Sequence, residues 1–247
     1  MKSKSILLIL LALLATACTD REKHGGFTLF VSHEIDGQPL VTDTLRYVNE
    51  AGNHYLVNEV QYFLTQLEIE DVQGRWIPLT EAWYVDSNIP ESTKIQITDV
   101  PINTYRTMRF TFGLNDIENR SGRFSNPPES NMFWPDEIGG GYHYMKLNGK
   151  YLTADSLLAP LAIHLGRGQN ADLTKFYDNS FVVELPIDFT ITESRGSTLG
   201  LIFNLNNWFR NPNVYDFNTY GSAIMQNQEA QHILKENGND LFHIIYP

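Results

Sequence analysis

The sequence FTLFVSH, residues 27–33, alternates in a way that predicts a half-buried β-strand. Phe27, Leu29, Val31 and His33 would share one face, because successive side chains of a strand point to opposite sides of the sheet. Further strands are predicted near residues 67–70, 95–97, 107–112, 142–147, 161–165, 180–192 and 199–205. Turn signals such as Asp36-Gly37 and Asn148-Gly149 separate them. Many short strands joined by such turns favour an all-β fold, an antiparallel β-sandwich.

Two segments interrupt the strand pattern. Residues 220–237 carry a loose apolar stripe at helical spacing and run into Asn237-Gly238, a typical helix stop. We therefore predict one C-terminal helix there, followed by a short strand at 241–245. Residues 119–141 are predicted to form a long loop ending in three glycines; loops of this length in compact domains are typically functional or mobile. Since no linker or repeat divides it, the range 27–247 is predicted to be a single domain.

Composition and charge narrow the classes of function. The 247 residues are 42% hydrophobic and 19% charged, and 18 basic against 29 acidic residues give a net charge of −11. This is the composition of a globular protein. A protein that binds nucleic acid needs a basic face to contact phosphates, so nucleic acid is not expected as a partner.

The N-terminus has the features of an export signal. Lys2 and Lys4 precede an apolar stretch at residues 6–15, and small residues lead into Cys18, the single cysteine of the chain. The apolar stretch is too short to span a bilayer. We predict a lipoprotein signal over residues 1–18 ending at a lipidated Cys18, then a tether at 19–26. Because Thr19 follows the cysteine, in place of the aspartate typical of inner-membrane retention, we expect an outer-membrane lipoprotein facing the periplasm or the cell surface.

Sequence signatures of common enzymes do not occur in this chain. It has no GxSxG, no P-loop, no HExxH and no dinucleotide-binding fingerprint. We therefore expect a binding protein without catalytic activity.

Three of the seven histidines fall on or beside predicted strands. His33 continues the apolar face of the first strand, His143 shares a face with Met145, and His164 precedes a glycine in LAIHLG. Each could be a hydrogen-bonded core residue, since buried polar groups must be paired. Convergence of two or three of them would instead form a copper or zinc site. Neutral imidazole is required for binding, so metal affinity is expected to decrease when the pH drops below roughly 6.

Met132 and Trp134 lie in the segment before His143 and are candidate cofactor-binding residues. A thioether sulfur favours Cu(I) over hard cations, whereas simple core packing is the alternative for both side chains.

Several blocks of the chain together resemble the MbnP-like copper-binding proteins, in particular a lipoprotein branch from Bacteroidetes-like bacteria. The similarity runs from about Phe27 to Phe242 and rests on VSHEIDGQPL, NHYLVNEVQYFLTQLEI, VPINTYRTMRFTFGLND, MFWPDEIGGGYHYMKLNGKY and AIHLG. The resemblance implies a β-rich, exported protein that holds copper for acquisition, delivery or storage, with Cu(I) favoured.

The resemblance also implies site residues and a partner. His33, His143 and His164 match histidines of this branch, and Trp134 matches the tryptophan that a di-haem enzyme of the MauG type oxidises to kynurenine in the named relatives. The second tryptophan often found in this block is Asp136 here. A different class of function is also open: the abundant aromatic residues suit a cell-surface module that binds a glycan or a protein without a metal.

Overall fold

The computed structural model describes residues 22–170, 172–193 and 196–247. The strands are β1 His24–Ile35, β2 Gln38–Pro39, β3 Tyr47–Val48, β4 His54–Asp71, β5 Trp76–Asp86, β6 Lys94–Pro101, β7 Thr104–Phe112, β8 Met145–Leu152, β9 Leu158–Leu165, β10 Gly168–Gln169, β11 Phe176–Tyr177, β12 Phe181–Thr190, β13 Ser197–Asn204 and β14 Phe242–Ile245. The α-helices are α1 Phe217–Tyr220 and α2 Gln228–Glu236. Short 3-10 helices span Pro90–Thr93, Glu129–Met132, Asp136–Ile138, Leu205–Phe209 and Asn237–Asp240.

The first sheet is built around β1. Strand β13 pairs with β1 in parallel, and β14 continues the sheet beyond β13. Strands β6 and β2 pair with β1 in antiparallel fashion. The first strand of the domain is thus paired with one of its last strands, so the two ends of the domain meet in one sheet.

The second sheet is built around β4, a strand of 18 residues. Its order is β12-β7-β4-β8-β9, and β5 and β3 also pair with β4. Strand β4 is long enough to pair with β8 through its first half and with β7 through its second half. This places β8 and β9 together at one edge of the sheet.

Aromatic side chains fill the space between the two sheets. Phe203 from the first sheet stacks on Phe242 at 4.9 Å between ring centroids and meets Tyr62 of the second sheet edge-on at 5.2 Å. All three rings are buried, and burying a large apolar side chain contributes about 2–3 kcal/mol to stability. This interior therefore supplies the main stabilisation of the sandwich.

The predicted all-β sandwich is confirmed, with four differences in detail. The β1–β13 pair is parallel, and β1 begins at His24, inside the segment predicted as tether. The C-terminal helix is shorter than predicted, because the Asn227 side chain accepts a bond from Ala230 N and starts α2 only there. Strand β8 begins at Met145 rather than at residue 142.

The predicted signal and the lipidated Cys18 lie outside the described residues. Within the described ranges, no helix has the length and apolar character needed to cross a membrane.

Candidate metal centre

His143 and His164 come together at the β8–β9 edge of the second sheet. His164 lies on β9 opposite Lys146 of β8 in the strand register, and His143 lies two residues before β8 begins. Their ring centroids are 5.1 Å apart and the rings meet edge-on. Two histidines 21 positions apart in the sequence are therefore neighbours, because the β8–β9 hairpin folds one against the other.

The His143 ring has one nitrogen fixed and one free. The backbone N–H of His143 donates to Met132 O at 2.6 Å, and Nδ1 lies 3.0 Å from the same carbonyl. Because a carbonyl only accepts, Nδ1 carries the proton and Nε2 carries a lone pair. Nε2 is buried and has no hydrogen-bond partner within the described part of the chain. An imidazole held in this way is in the form that ligates a metal.

The His164 ring is oriented by a chain of polar side chains. Nε2 of His164 lies 2.9 Å from Asn148 Oδ1, and Nδ2 of Asn148 donates to Glu59 Oε2 at 3.3 Å. Since the amide oxygen only accepts, Nε2 of His164 carries the proton and Nδ1 carries the lone pair. Outer partners of this kind fix the orientation of metal-ligating imidazoles.

Both imidazoles are neutral over a wide pH range. Burial is the main cause that lowers the pKa of His143 to about 3, and the Lys146 ammonium lowers it further. Burial, followed by the charge of Lys146, lowers the pKa of His164 to about 4. Protons are therefore expected to compete with a metal near pH 4, which is lower than the value of roughly pH 6 expected from the ordinary histidine pKa.

The structure does not bring His33 to this pair. The His33 ring lies inside the sandwich, 5.7 Å from the Tyr62 ring, and its Nε2 is 3.0 Å from Tyr62 Oη. In the β4–β8–β9 register Tyr62 shares a face with Met145 and Leu165, whereas His164 follows the opposite alternation with Lys146. His33 and His164 thus belong to opposite faces of the second sheet.

Trp134 and Met132 border the His143 ring. Trp134 is fully buried, its ring centroid is 4.7 Å from that of His143, and its Nε1 donates to Ile138 O at 3.0 Å. Met132 is also fully buried, and its carbonyl is the one that orients His143. Phe133, between them, is 60% exposed. The predicted cofactor-binding residues are therefore neighbours of His143.

Glycines shape the loop that carries Trp134. Gly141 has a φ of +87°, and a Cβ there would lie 2.2 Å from Asn119 Oδ1, so the turn requires glycine. At Gly166 a Cβ would lie 2.6 Å from the Trp134 ring. The indole therefore packs directly against the backbone at Gly166, where a larger residue would not fit.

Two buried amides that sequence reasoning missed secure the strand end after His164. Gln231 of α2 accepts from Gly166 N at 3.1 Å, and Asn179 donates to Gly166 O at 2.9 Å. Both side chains are almost completely buried. The sequence pattern held no signal for them, because isolated Asn and Gln residues are usually exposed.

A surface cleft of about 530 Å³ reaches His164. Its walls include Ala162, Ala223 and the half-buried Met225. A small ion could approach the imidazole pair by this route, past a thioether group. Met225 was not among the sequence candidates, because it lies 61 positions from His164.

The arrangement suits an ion with few ligands. No group of three or more His, Cys, Asp or Glu side chains positioned for a metal occurs in the described ranges. An ion about 2 Å from one nitrogen of each ring would hold the two centroids at most about 6 Å apart, and the observed 5.1 Å lies within that limit. The unpaired, buried Nε2 of His143 fits such a ligand role.

Comparisons with known proteins agree with the geometry of the fold. A sequence model of the MbnP family matches residues 24–227. The solved structure of MbnP from Methylosinus trichosporium superposes with a TM-score of 0.61 at 12% sequence identity, covering 91% of this chain and 99% of that one. At that identity the superposition shows a common fold. No protein in the curated collection matches significantly. Since the family model spans most of the chain, the protein belongs to the MbnP family.

Proposed function

We propose that the protein binds copper, as Cu(I), through Nε2 of His143 and Nδ1 of His164, and that it holds the ion without catalysing a reaction. The observation that carries this proposal is the buried lone pair of His143, which lacks a partner among the described residues and lies in a ring 5.1 Å from that of His164. Imidazole is a good ligand for copper. Membership of the MbnP family supports copper as the metal.

The charge of the surroundings supports the monovalent state. The Born cost of moving an ion into a medium of low polarity rises with the square of its charge, so a divalent ion is much harder to bury than a monovalent one. The two proposed ligands are neutral, and the charged side chain that acts on both of them is the cation Lys146. Met225 in the adjoining cleft adds a soft sulfur on the path to the site.

Trp134 is the residue proposed to be oxidised to kynurenine by a di-haem enzyme of the MauG type. Its contact with His143 supports a role beside the metal. Because the indole is fully buried, such an enzyme would have to withdraw electrons through intervening protein, for which the exposed Phe133 is the adjacent surface group. Kynurenine would raise the mass of the protein by about 4 Da, and an unchanged mass after exposure to such an enzyme would contradict this part.

The proposed location is the outer membrane, with a lipid on Cys18. Cell fractionation tests it: the natural protein should sediment with membranes, and a Cys18→Ser variant should not. Equal distribution of both proteins would contradict the anchor.

Cu(I) titration tests the metal site. The soluble protein lacking residues 1–18 is titrated anaerobically with Cu(I) against a chromogenic chelator, and one equivalent should bind. A His143→Ala/His164→Ala variant should lose this binding. A His54→Ala/His243→Ala variant is the matched control, because both of these histidines are exposed, and it should bind normally. Absence of binding by the natural protein would favour the alternative, a surface module for a glycan or a protein.

A further inference from the structure

Lys146 is the charged side chain placed next to the histidine pair by the strand register. It lies directly opposite His164 in the β8–β9 ladder, and directly opposite residues have Cβ atoms about 5 Å apart on the same face. It is also partly buried. Its charge is therefore screened less by solvent than that of a fully exposed lysine.

The ammonium group is held in place by the segment that orients His143. Nζ of Lys146 donates to Asn131 O at 2.7 Å, and the next residue, Met132, supplies the carbonyl that accepts from the His143 ring. The Lys146 charge acts on both rings, lowering the pKa of each. Burial lowers the pKa of Lys146 itself, and Glu59 opposes that shift. The cation is thus fixed beside the two proposed ligands.

We infer that Lys146 is a specificity-determining residue, which disfavours divalent ions relative to Cu(I) at the His143–His164 site. The inference rests on the proposed function. The Coulomb energy between two charges is proportional to their product, so a fixed positive charge repels a divalent ion twice as strongly as a monovalent ion at the same position. Because affinity depends exponentially on free energy, the factor by which Lys146 lowers the affinity for a divalent ion is the square of the factor for a monovalent ion.

Replacement of Lys146 should consequently change the two affinities unequally. In a Lys146→Met variant, which keeps an unbranched side chain, Cu(I) affinity should rise about threefold and Zn(II) affinity about tenfold. Both are measured by competition with chelators on the soluble protein. A second neutral variant, Lys146→Gln, should give the same ratio. Lys146→Arg should stay close to the natural protein, because it retains the charge.

Lys150→Met is the matched control. Lys150 lies four residues further along β8 and is exposed, so its removal should leave the ratio of affinities unchanged. Circular dichroism confirms that each variant is folded. Equal gains for Cu(I) and Zn(II), or no gain for either ion, would overturn the inference while leaving the copper site intact. A natural protein that binds neither ion would overturn the proposed function as well.

Discussion

His33 is partly buried and His143 is buried, and the two histidines differ in how their nitrogens are used. Burial lowers the pKa of His33 to about 4 and that of His143 to about 3. His33 shares a hydrogen bond with Tyr62 between the two sheets, whereas Nε2 of His143 has no partner within the described ranges. The comparison teaches that a lowered pKa does not set the two histidines apart. An unsatisfied lone pair next to a second imidazole is the feature that supports the proposed ligand role of His143.

The largest expected effect is a loss of stability at low pH, to which both His33 and the His143–His164 pair contribute. The folded-state pKa values of His33, His143 and His164 lie below the ordinary value of 6.5, so the unfolded chain takes up protons first as the pH falls. The stability contributed by the neutral rings is complete above about pH 6.5 and is lost as the pH approaches about 4. At pH 5 the loss is about 2 kcal/mol for each ring.

Urea unfolding of the metal-free protein at pH 7 and pH 5 measures this loss. His33→Phe and His143→Phe variants should each reduce the difference between the two pH values by about 2 kcal/mol. A free energy of unfolding that is the same at both pH values would show that these rings are not buried as neutral groups.

The next effect distinguishes His33 from the His143–His164 pair, because it changes stability without changing Cu(I) affinity. In a His33→Phe variant the hydroxyl of Tyr62, which is fully buried, loses its partner. Leaving a buried polar group unsatisfied costs about 1–3 kcal/mol, so urea unfolding at pH 7 should show a loss of about 2 kcal/mol. Cu(I) affinity should not change. If the His33→Phe variant folds normally but no longer binds Cu(I), His33 is part of the metal site after all.

A smaller effect is expected at Asn148, which orients His164 through its amide oxygen. Loss of such an outer partner typically lowers metal affinity by at least about tenfold. An Asn148→Ala variant should therefore bind Cu(I) about tenfold more weakly, as measured by chelator competition. An Asn218→Ala variant is a suitable control, because Asn218 is exposed and accepts a hydrogen bond from Ala154 N, beyond the end of β8 that is farther from His143. Unchanged affinity in Asn148→Ala would show that His164 needs no such support.

The smallest effect on stability is expected at His143. A His143→Phe variant loses the bond from Nδ1 to Met132 O but also removes the unsatisfied Nε2, and these two changes oppose each other. Its free energy of unfolding at pH 7 should stay within about 1 kcal/mol of that of the natural protein, although Cu(I) binding is lost. A loss above about 2 kcal/mol would mean that His143 is a structural residue comparable to His33.

Local sequence patterns predicted much of the sandwich. The alternation at residues 27–33 corresponds to β1, and the segments near 161–165, 180–192 and 199–205 correspond to β9, β12 and β13. Period-two alternation reflects burial on one face, which is a local property. The parallel pairing of β1 with β13 could not be predicted, because it joins segments about 170 residues apart.

The candidate site was predictable only in part. Residue types and motif similarity selected His143, His164, Met132 and Trp134, and these residues lie together. His33 has the same chemistry, but only the sheet register reveals that it faces the interior. Asn148, Lys146 and Met225 carry no distinctive local pattern. Their proximity depends on strand pairing and on the segment that pairs with β9 through the Ala162–Ala223 bridge.

If Cys18 carries the proposed lipid, the early start of β1 at His24 limits how far the folded domain can lie from that lipid. Six residue steps lead from Cys18 to His24, and an extended chain of this length reaches at most about 22 Å. His33 lies nine residues, or about 30 Å, further along β1 than His24. It contacts Tyr62, which pairs with Met145 at the start of β8, so the β8–β9 edge lies at the His33 end of β1. The imidazole pair therefore lies toward the end of the domain opposite the attachment point of the proposed tether, and water-soluble donors and acceptors of the ion would reach it from that end.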